Sequence, residues 1–449
     1  MSILLIKSEL LFSNNNFQKV IKVLLLVLTA VSFAFLITYF LKSELSGDDL
    51  AYFKTVDVTW SWIIKTRYLA WSSRVFIDVL IPFFVHHSLL LKITCVVFLL
   101  ASPLILLNLF KGKALIHLLF CFAVISLLPY YEMETAGFAA TILNYYFPIV
   151  FALFLCAAIN SNCKFNFLCF FIILILGIFA CNHEQCVVVI FTFSLLAIIQ
   201  SWPHLNLIAL ETFAISILSL IFIFMSPGNA VRMAQEMQNW MPEFATFSLF
   251  AKVYMGITTT FYNLCYHNNL PFVFCFVVLV LCLTKKLRLA IASLIVLSLC
   301  QEILRKVFKS TELQENATWL NSFPSSTLVI FFTYALVLLA IAIKLDLSYQ
   351  NKVVIIVMIL LAFALRGVIG LSPTVFASGV RTAIFSQCLF IICAGYALMR
   401  SNVNTTKISI LLSYFVYVNL HKFILNYIRQ YEVTSANVNS WIYRVNCRC

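Results

Sequence analysis

The chain has 449 residues, is 63% hydrophobic and only 10% charged, and has a mean hydropathy of +1.01. Soluble domains are nearer half apolar, so a water-soluble globular protein is excluded. The net charge of +13 lies mostly in short gaps between apolar runs, where basic residues act as topology signals, and no nucleic-acid partner is expected.

A helical crossing needs about 20 apolar residues, and runs of that size recur along the chain. The short alternation of a β-barrel strand is not visible. The fold class is therefore all-α, a polytopic transmembrane bundle of about 12–13 helices forming one domain over residues 1–449. The first run, about 20–41, follows a tail with Lys7, Lys19 and Lys22 and is too long for a signal-peptide core, so it reads as a retained helix. Further crossings fall near 89–110, 114–130, 139–159, 165–181, 186–200, 206–225, 270–284, 288–304, 326–344, 352–371 and 382–399, with a thirteenth near 408–427. The fifteen cysteines mostly stand singly inside these runs, where cysteine behaves as a small hydrophobe.

Alternate gaps differ in charge. One set holds Lys111 and Lys113, Lys164, Lys285, Lys286 and Arg288, Lys344 and Lys352, and Arg400 and Lys407, and is cytoplasmic by the positive-inside rule. The other set holds the long connections 42–88, 226–269 and 304–325 and every one of the clusters Asp48-Asp49, Glu132/Glu134, His183-Glu184, Ser226-Pro227-Gly228-Asn229 with Arg232, and Arg381. A polar site collected on the outer face is the simplest use of so few ionisable groups.

Those clusters each admit two readings. Asp48 and Asp49 open the first outer loop; together they can supply a general base, or they can cap and start the next helix. The same loop carries Trp60, Trp62, Trp71, Lys65, Arg67 and Arg74, a density suited to the headgroup layer and to stacking on sugar rings. Within it, Val75–Leu90 with Asp78, His86 and His87 reads as an interfacial or re-entrant helix. Glu132 and Glu134, spaced by two, face different ways on a helix, so at most one points into a shared cavity. His183 and Glu184 sit where two apolar runs meet in a tight turn near membrane depth, either as ligand contacts or as the start of the next helix. Pro227-Gly228 signals a turn after Ser226, followed by Asn229 and Arg232; Arg381 opens a late crossing. A guanidinium matches phosphate bidentately, but interfacial arginines also reach lipid headgroups.

As a set, the residues resemble a known family. A carboxylate pair just beyond the first helix, Thr135-Ala136-Gly137-Phe138 leading to Asn144-Tyr145-Tyr146-Phe147-Pro148, His183-Glu184-Gln185, and the Ser-Pro-Gly-Asn-x-x-Arg run ending at Arg232 resemble C-type membrane glycosyltransferases. The likeness is to bacterial O-antigen-modifying, serotype-converting glucosyltransferases and covers roughly the first 240 residues, with Ser372-Pro373 and Arg381 beyond. It implies an inverting transferase of the inner membrane with its site facing the periplasm. The donor would be a polyprenyl-phosphate-linked sugar, by resemblance glucose, and the acceptor a lipopolysaccharide O-antigen, with membrane lipid around both. In this reading Asp48 or Asp49 is the base, Arg232 and Arg381 bind the donor phosphate, and Glu132, Glu134, Tyr145, His183, Glu184 and Asn229 hold sugar or acceptor. No cofactor is expected, and a divalent metal is not indicated because no ligand spacing emerges. The rivals are an O-antigen polymerase or ligase, with large basic outer loops, and a secondary transporter, with midplane charges and an inverted repeat.

Overall fold

The structure is a computed structural model that describes residues 15–54, 59–161, 166–204, 206–267, 269–283, 287–310 and 326–446. Among the described residues every regular element is a helix, with no β-strand. The chain is a multi-pass membrane protein.

In chain order the helices are α1 (Asn15–Lys42), α2 (Asp48–Phe53), α3 (Trp60–Ile63), α4 (Val75–His86), α5 (Ser88–Leu109), α6 (Leu115–Ser126) and α7 (Phe138–Asn160). There follow α8 (Phe167–Cys181), α9 (Glu184–Ser201), α10 (Leu207–Phe224), α11 (Pro227–Trp240), α12 (Leu249–Phe261), α13 (Leu270–Leu281), α14 (Leu287–Ser310), α15 (Ser326–Lys344), α16 (Tyr349–Gly367), α17 (Ile384–Arg400) and α18 (Thr405–Asn446). By length and hydropathy nine spans among the described residues can cross a membrane, or ten if α12 and α13, bent by 77° at their junction, count as one. Three of the other expected crossings are shorter apolar helices among the described residues. The segment near 165–181 is the 15-residue α8, and those near 288–304 and 326–344 hold only shorter apolar stretches. At 1.5 Å per residue α8 is about 23 Å long, less than a full hydrocarbon layer.

Two connections also differ from the expectation. The 226–269 segment is not an open loop but α11, a 3₁₀ turn at Pro242–Thr246 and then α12, whose Thr258, Thr259 and Thr260 are buried against protein. Most of the 304–325 connection lies outside the described residues. Within 42–88 the apolar stretch forms α4, 12 residues with Ile77, Asp78, Ile81 and Val85 turned inward.

The bundle has an axis and a rim. The span containing α17 is 94% buried and packs on α13 and α16, whereas α1 is 28% buried and leaves Val20, Val23 and Val27 exposed. Apolar side chains facing outward on so many helices fit hydrocarbon as the surrounding solvent. Side-chain caps stop several helices where the sequence turns polar: Asn166 accepts the Cys169 N–H, Asn206 that of Ala209, and Ser348 that of Asn351. The spans run between two ends. One carries α2, the start of α7, the α8–α9 turn and α11; the other carries the ends of α5, α7 and α9 and the last turn of α17.

Candidate functional site

At the first of these ends, Asp48 and Asp49 have opposite surroundings. Asp49 is fully buried, and its carboxylate accepts the N–H groups of Ala140 (2.8 Å), Ala139 (3.1 Å) and Ser46 (3.3 Å). It satisfies the free amides at the start of α7, as an N-cap carboxylate does. Burial lifts its pKa, and the amide donors oppose that rise. Gly137 makes the approach feasible: its φ is +120°, and a Cβ there would stand 2.5 Å from the Ser46 carbonyl and 2.7 Å from the Asp49 carboxylate. Asp48, about 100° further round the helix, is exposed and lines a cavity.

The α8–α9 turn ties the end together. Asn182 accepts the Phe76 and Ile77 N–H groups (3.0 and 3.3 Å) and donates to the Ser73 carbonyl (2.9 Å), which fixes the start of α4. His183 Nδ1 accepts the Gln185 N–H (3.2 Å) and caps α9. Glu184 pairs with Arg74 at 2.7 Å, and Arg74 also donates to Asn144 Oδ1 (2.9 Å). Gln185 donates to the carbonyls of Leu365 (2.9 Å) and Thr382 (3.0 Å), which draws in the end of α16 and the turn bearing Arg381. From α11, Asn229 accepts the Ser73 N–H (3.3 Å). Gly228 lies so close to the first loop that a Cβ would meet the Trp71 nitrogen at 2.6 Å.

These ties enclose a cavity of about 750 Å³, within the size range of small-molecule sites. Its wall includes Asp48, Arg74, Tyr145, Glu184, Arg232 and Arg381, with Trp71 and Trp240 as aromatic surface. Arg74 pairs with Glu184 and Arg67 with Asp78 (3.8 Å), whereas Arg232 and Arg381 make no ion pair within 4 Å among the described residues. Burial lowers the Arg232 pKa while Glu184 opposes the fall. Asp78, on the same wall, has its pKa raised by burial against the pull of Arg67 and Arg74, and it accepts from Tyr52 (3.3 Å) and Ser72 (3.2 Å). His183 is pushed well below 6.5 by burial, with Arg74 and Arg232 adding and Glu184 opposing, so it is neutral at physiological pH.

Of the residues expected at a site, Asp48, Tyr145, His183, Glu184, Asn229, Arg232 and Arg381 share this cavity, although they span more than 330 positions of sequence. Asp49, Glu132 and Glu134 do not line it, which corrects their expected placement. Glu134 accepts from Ser43 of the loop after α1, and burial raises its pKa. Glu132 faces the charge of Lys422 on α18, whose Nζ donates to the Tyr131 hydroxyl (3.4 Å). Both acids face groups from other parts of the chain, as buried carboxylates need partners. The sequence reading passed over Arg74, Asp78, Asn144, Gln185 and Glu236 as wall residues. The available signal for Arg74 and Asp78 was charge within or beside an apolar run. Among the described residues no group of three His, Cys, Asp or Glu is placed to hold a metal.

A second cavity of about 340 Å³ lies toward the other end, between α7, α9, α16 and α17. Its walls are apolar, with Asn160, Gln200 and Gln350 at its rim. Phe385 of α17 lines it and also packs against His183 (ring centroids 4.8 Å apart) and Tyr145 (6.0 Å), which line the polar cavity. In comparisons with known proteins, no family model, no curated protein and no solved structure matches this chain.

Proposed function

We propose that the protein is an inverting membrane glycosyltransferase that moves a sugar from a polyprenyl phosphate donor to an acceptor hydroxyl in the polar cavity. The observation that carries this reading is a single cavity bearing one exposed carboxylate, Asp48, and two arginines, Arg232 and Arg381, that make no ion pair within 4 Å among the described residues. A phosphate monoanion or diester fits such a pair of guanidinium groups. Asp48 takes the proton from the acceptor hydroxyl as its oxygen bonds to the anomeric carbon, and the bond from that carbon to the lipid phosphate oxygen breaks. Phosphate is a good leaving group, so orientation and charge stabilisation supply most of the rate. Trp71 and Trp240 offer faces for sugar rings. Asp49 has no part in this chemistry, since its acceptor capacity is spent on α7.

Basic gaps at the far end support an orientation in which the cavity faces the periplasm from a bacterial inner membrane, by the positive-inside rule. By the resemblance given above, the sugar is glucose and the acceptor an O-antigen repeat. A carrier is the second reading, favoured by the apolar cavity stacked beyond Phe385. The ionisable groups supporting the enzyme reading sit at helix ends and not at mid-span.

The test is transfer of labelled glucose from polyprenyl phosphate glucose to lipopolysaccharide in membranes carrying the full chain. Asp48→Asn is expected to lower transfer at least about 100-fold, and Arg232→Gln and Arg381→Gln to raise the donor KM. Normal turnover by Asp48→Asn removes the proposed base. Flux of labelled solute into proteoliposomes without any transfer replaces the enzyme by the carrier.

A further inference from the structure

We infer that the His183–Glu184 corner of the polar cavity is a hydroxyl clamp, reading a neutral alcohol of the ligand and not its anion. The inference rests on the transferase reading and narrows it to a sugar that must keep a particular hydroxyl free.

His183 is 1% exposed and lines the cavity. Because Nδ1 accepts the Gln185 N–H, the neutral ring carries its proton on Nε2. That Nε2 is buried and has no hydrogen-bond partner among the described residues. The next residue is its complement. Glu184 Oε2 accepts from two of the three Arg74 guanidinium nitrogens, at 2.7 and 2.8 Å, whereas Oε1 is buried and accepts nothing among the described residues.

Buried donors and acceptors are rarely left unmet in folded proteins. An unmet donor and an unmet acceptor on consecutive residues of one cavity wall therefore point to a ligand group that accepts once and donates once. A hydroxyl does both. A phosphate supplies acceptors only and is repelled by the Glu184 carboxylate, while an ammonium supplies donors only and is repelled by Arg74. The anionic part of the ligand is left to Arg232 and Arg381. Tyr145 and Phe385, with ring centroids 5.1 and 4.8 Å from that of His183, hold the imidazole in place.

The test uses the full chain in lipid nanodiscs, with tryptophan fluorescence reporting binding of polyprenyl phosphate glucose, galactose and mannose. The tightest of the three is then compared with its mono-deoxy analogues, and transfer is measured in parallel. The clamp requires that loss of one hydroxyl, or of two adjacent ones, weaken binding about 10- to 100-fold, with the other positions changing it less than about 3-fold. His183→Asn keeps a side-chain acceptor for the Gln185 N–H but lacks the Nε2 donor, so the variant folds and the penalty at that position collapses. Equal affinities across the deoxy series, or an unchanged penalty in His183→Asn, overturn the clamp even if transfer proceeds. The deoxy pattern without transfer keeps the clamp and removes the transferase reading. Failure of all three sugars to bind removes both.

Discussion

The two cavities share three helices, yet one carries charged groups on its wall and the other is lined with hydrocarbon. α7, α9 and α16 contribute to both, while α17 lines the apolar cavity and the turn before it, with Arg381 and Thr382, lines the polar one. The polar cavity forms where these helices begin or end, so side chains and backbone amides from α2, α4 and α11 reach in to meet one another. The apolar cavity lies along the middle and far halves of the same helices, where backbone groups are already paired and only side chains remain to face it. In this bundle, polarity follows helix termini more closely than it follows any one helix.

The comparison can be broken most severely at Arg74. Arg74→Met leaves Glu184 without its counter-ion among partly buried neighbours, and we expect a loss of about 2–3 kcal/mol of stability, read as a lower thermal midpoint of the solubilised protein. A midpoint unchanged from wild type means that the ion pair does not hold the polar end together.

The carboxylate neighbours provide the next test. Asp49→Asn puts an amide donor where the carboxylate now meets the α7 amides, with an expected cost of about 2 kcal/mol. Asp48→Asn, exposed on the wall, changes stability by less than about 0.5 kcal/mol. Equal effects on the thermal midpoint would erase the distinction drawn between them.

A smaller effect is set by pH. The folded chain holds His183 neutral, whereas the unfolded chain takes up a proton below about pH 6.5. Stability should therefore fall on acidification below 6.5 by up to about 1.4 kcal/mol per pH unit, and recover as the pH rises. His183→Asn should remove that share of the slope between pH 5 and 7 in thermal denaturation; an identical slope in the variant assigns the effect elsewhere.

The smallest change is expected in the apolar cavity. Ala152→Leu fills part of it and should raise stability by about 0.5–1 kcal/mol without altering sugar transfer. A fall in transfer would show that the two cavities work as one.

Much of the fold was legible in the chain because hydropathy and charge asymmetry are local quantities. The runs at 89–110, 139–159, 186–200 and 206–225 correspond to α5, α7, α9 and α10 within a few residues. The expected spans depart from the structure at α8 and beyond residue 286, where apolar stretches are shorter than a crossing, and at α12, a helix missed because threonines interrupt the apolar pattern of a segment that packs against protein. The gathering of Asp48, Glu184, Arg232 and Arg381 was anticipated from their alternate gaps. The placement of Glu132 and Glu134 was not readable, because Ser43, which donates to Glu134, follows α1 and Lys422, whose charge faces Glu132, lies on α18, at opposite ends of the chain.

The sequence by itself determined the membrane habit, the approximate spans and the collection of scarce polar groups at one end, since each depends on the transfer cost of a residue from water to hydrocarbon, summed along a short window. Only the tertiary structure decided which acid lines the cavity, which arginine is paired and which histidine nitrogen is left unmet. Those outcomes turn on hydrogen bonds between residues far apart in the chain, and a difference of one position around a helix, as between Asp48 and Asp49, is enough to exchange a wall residue for a cap.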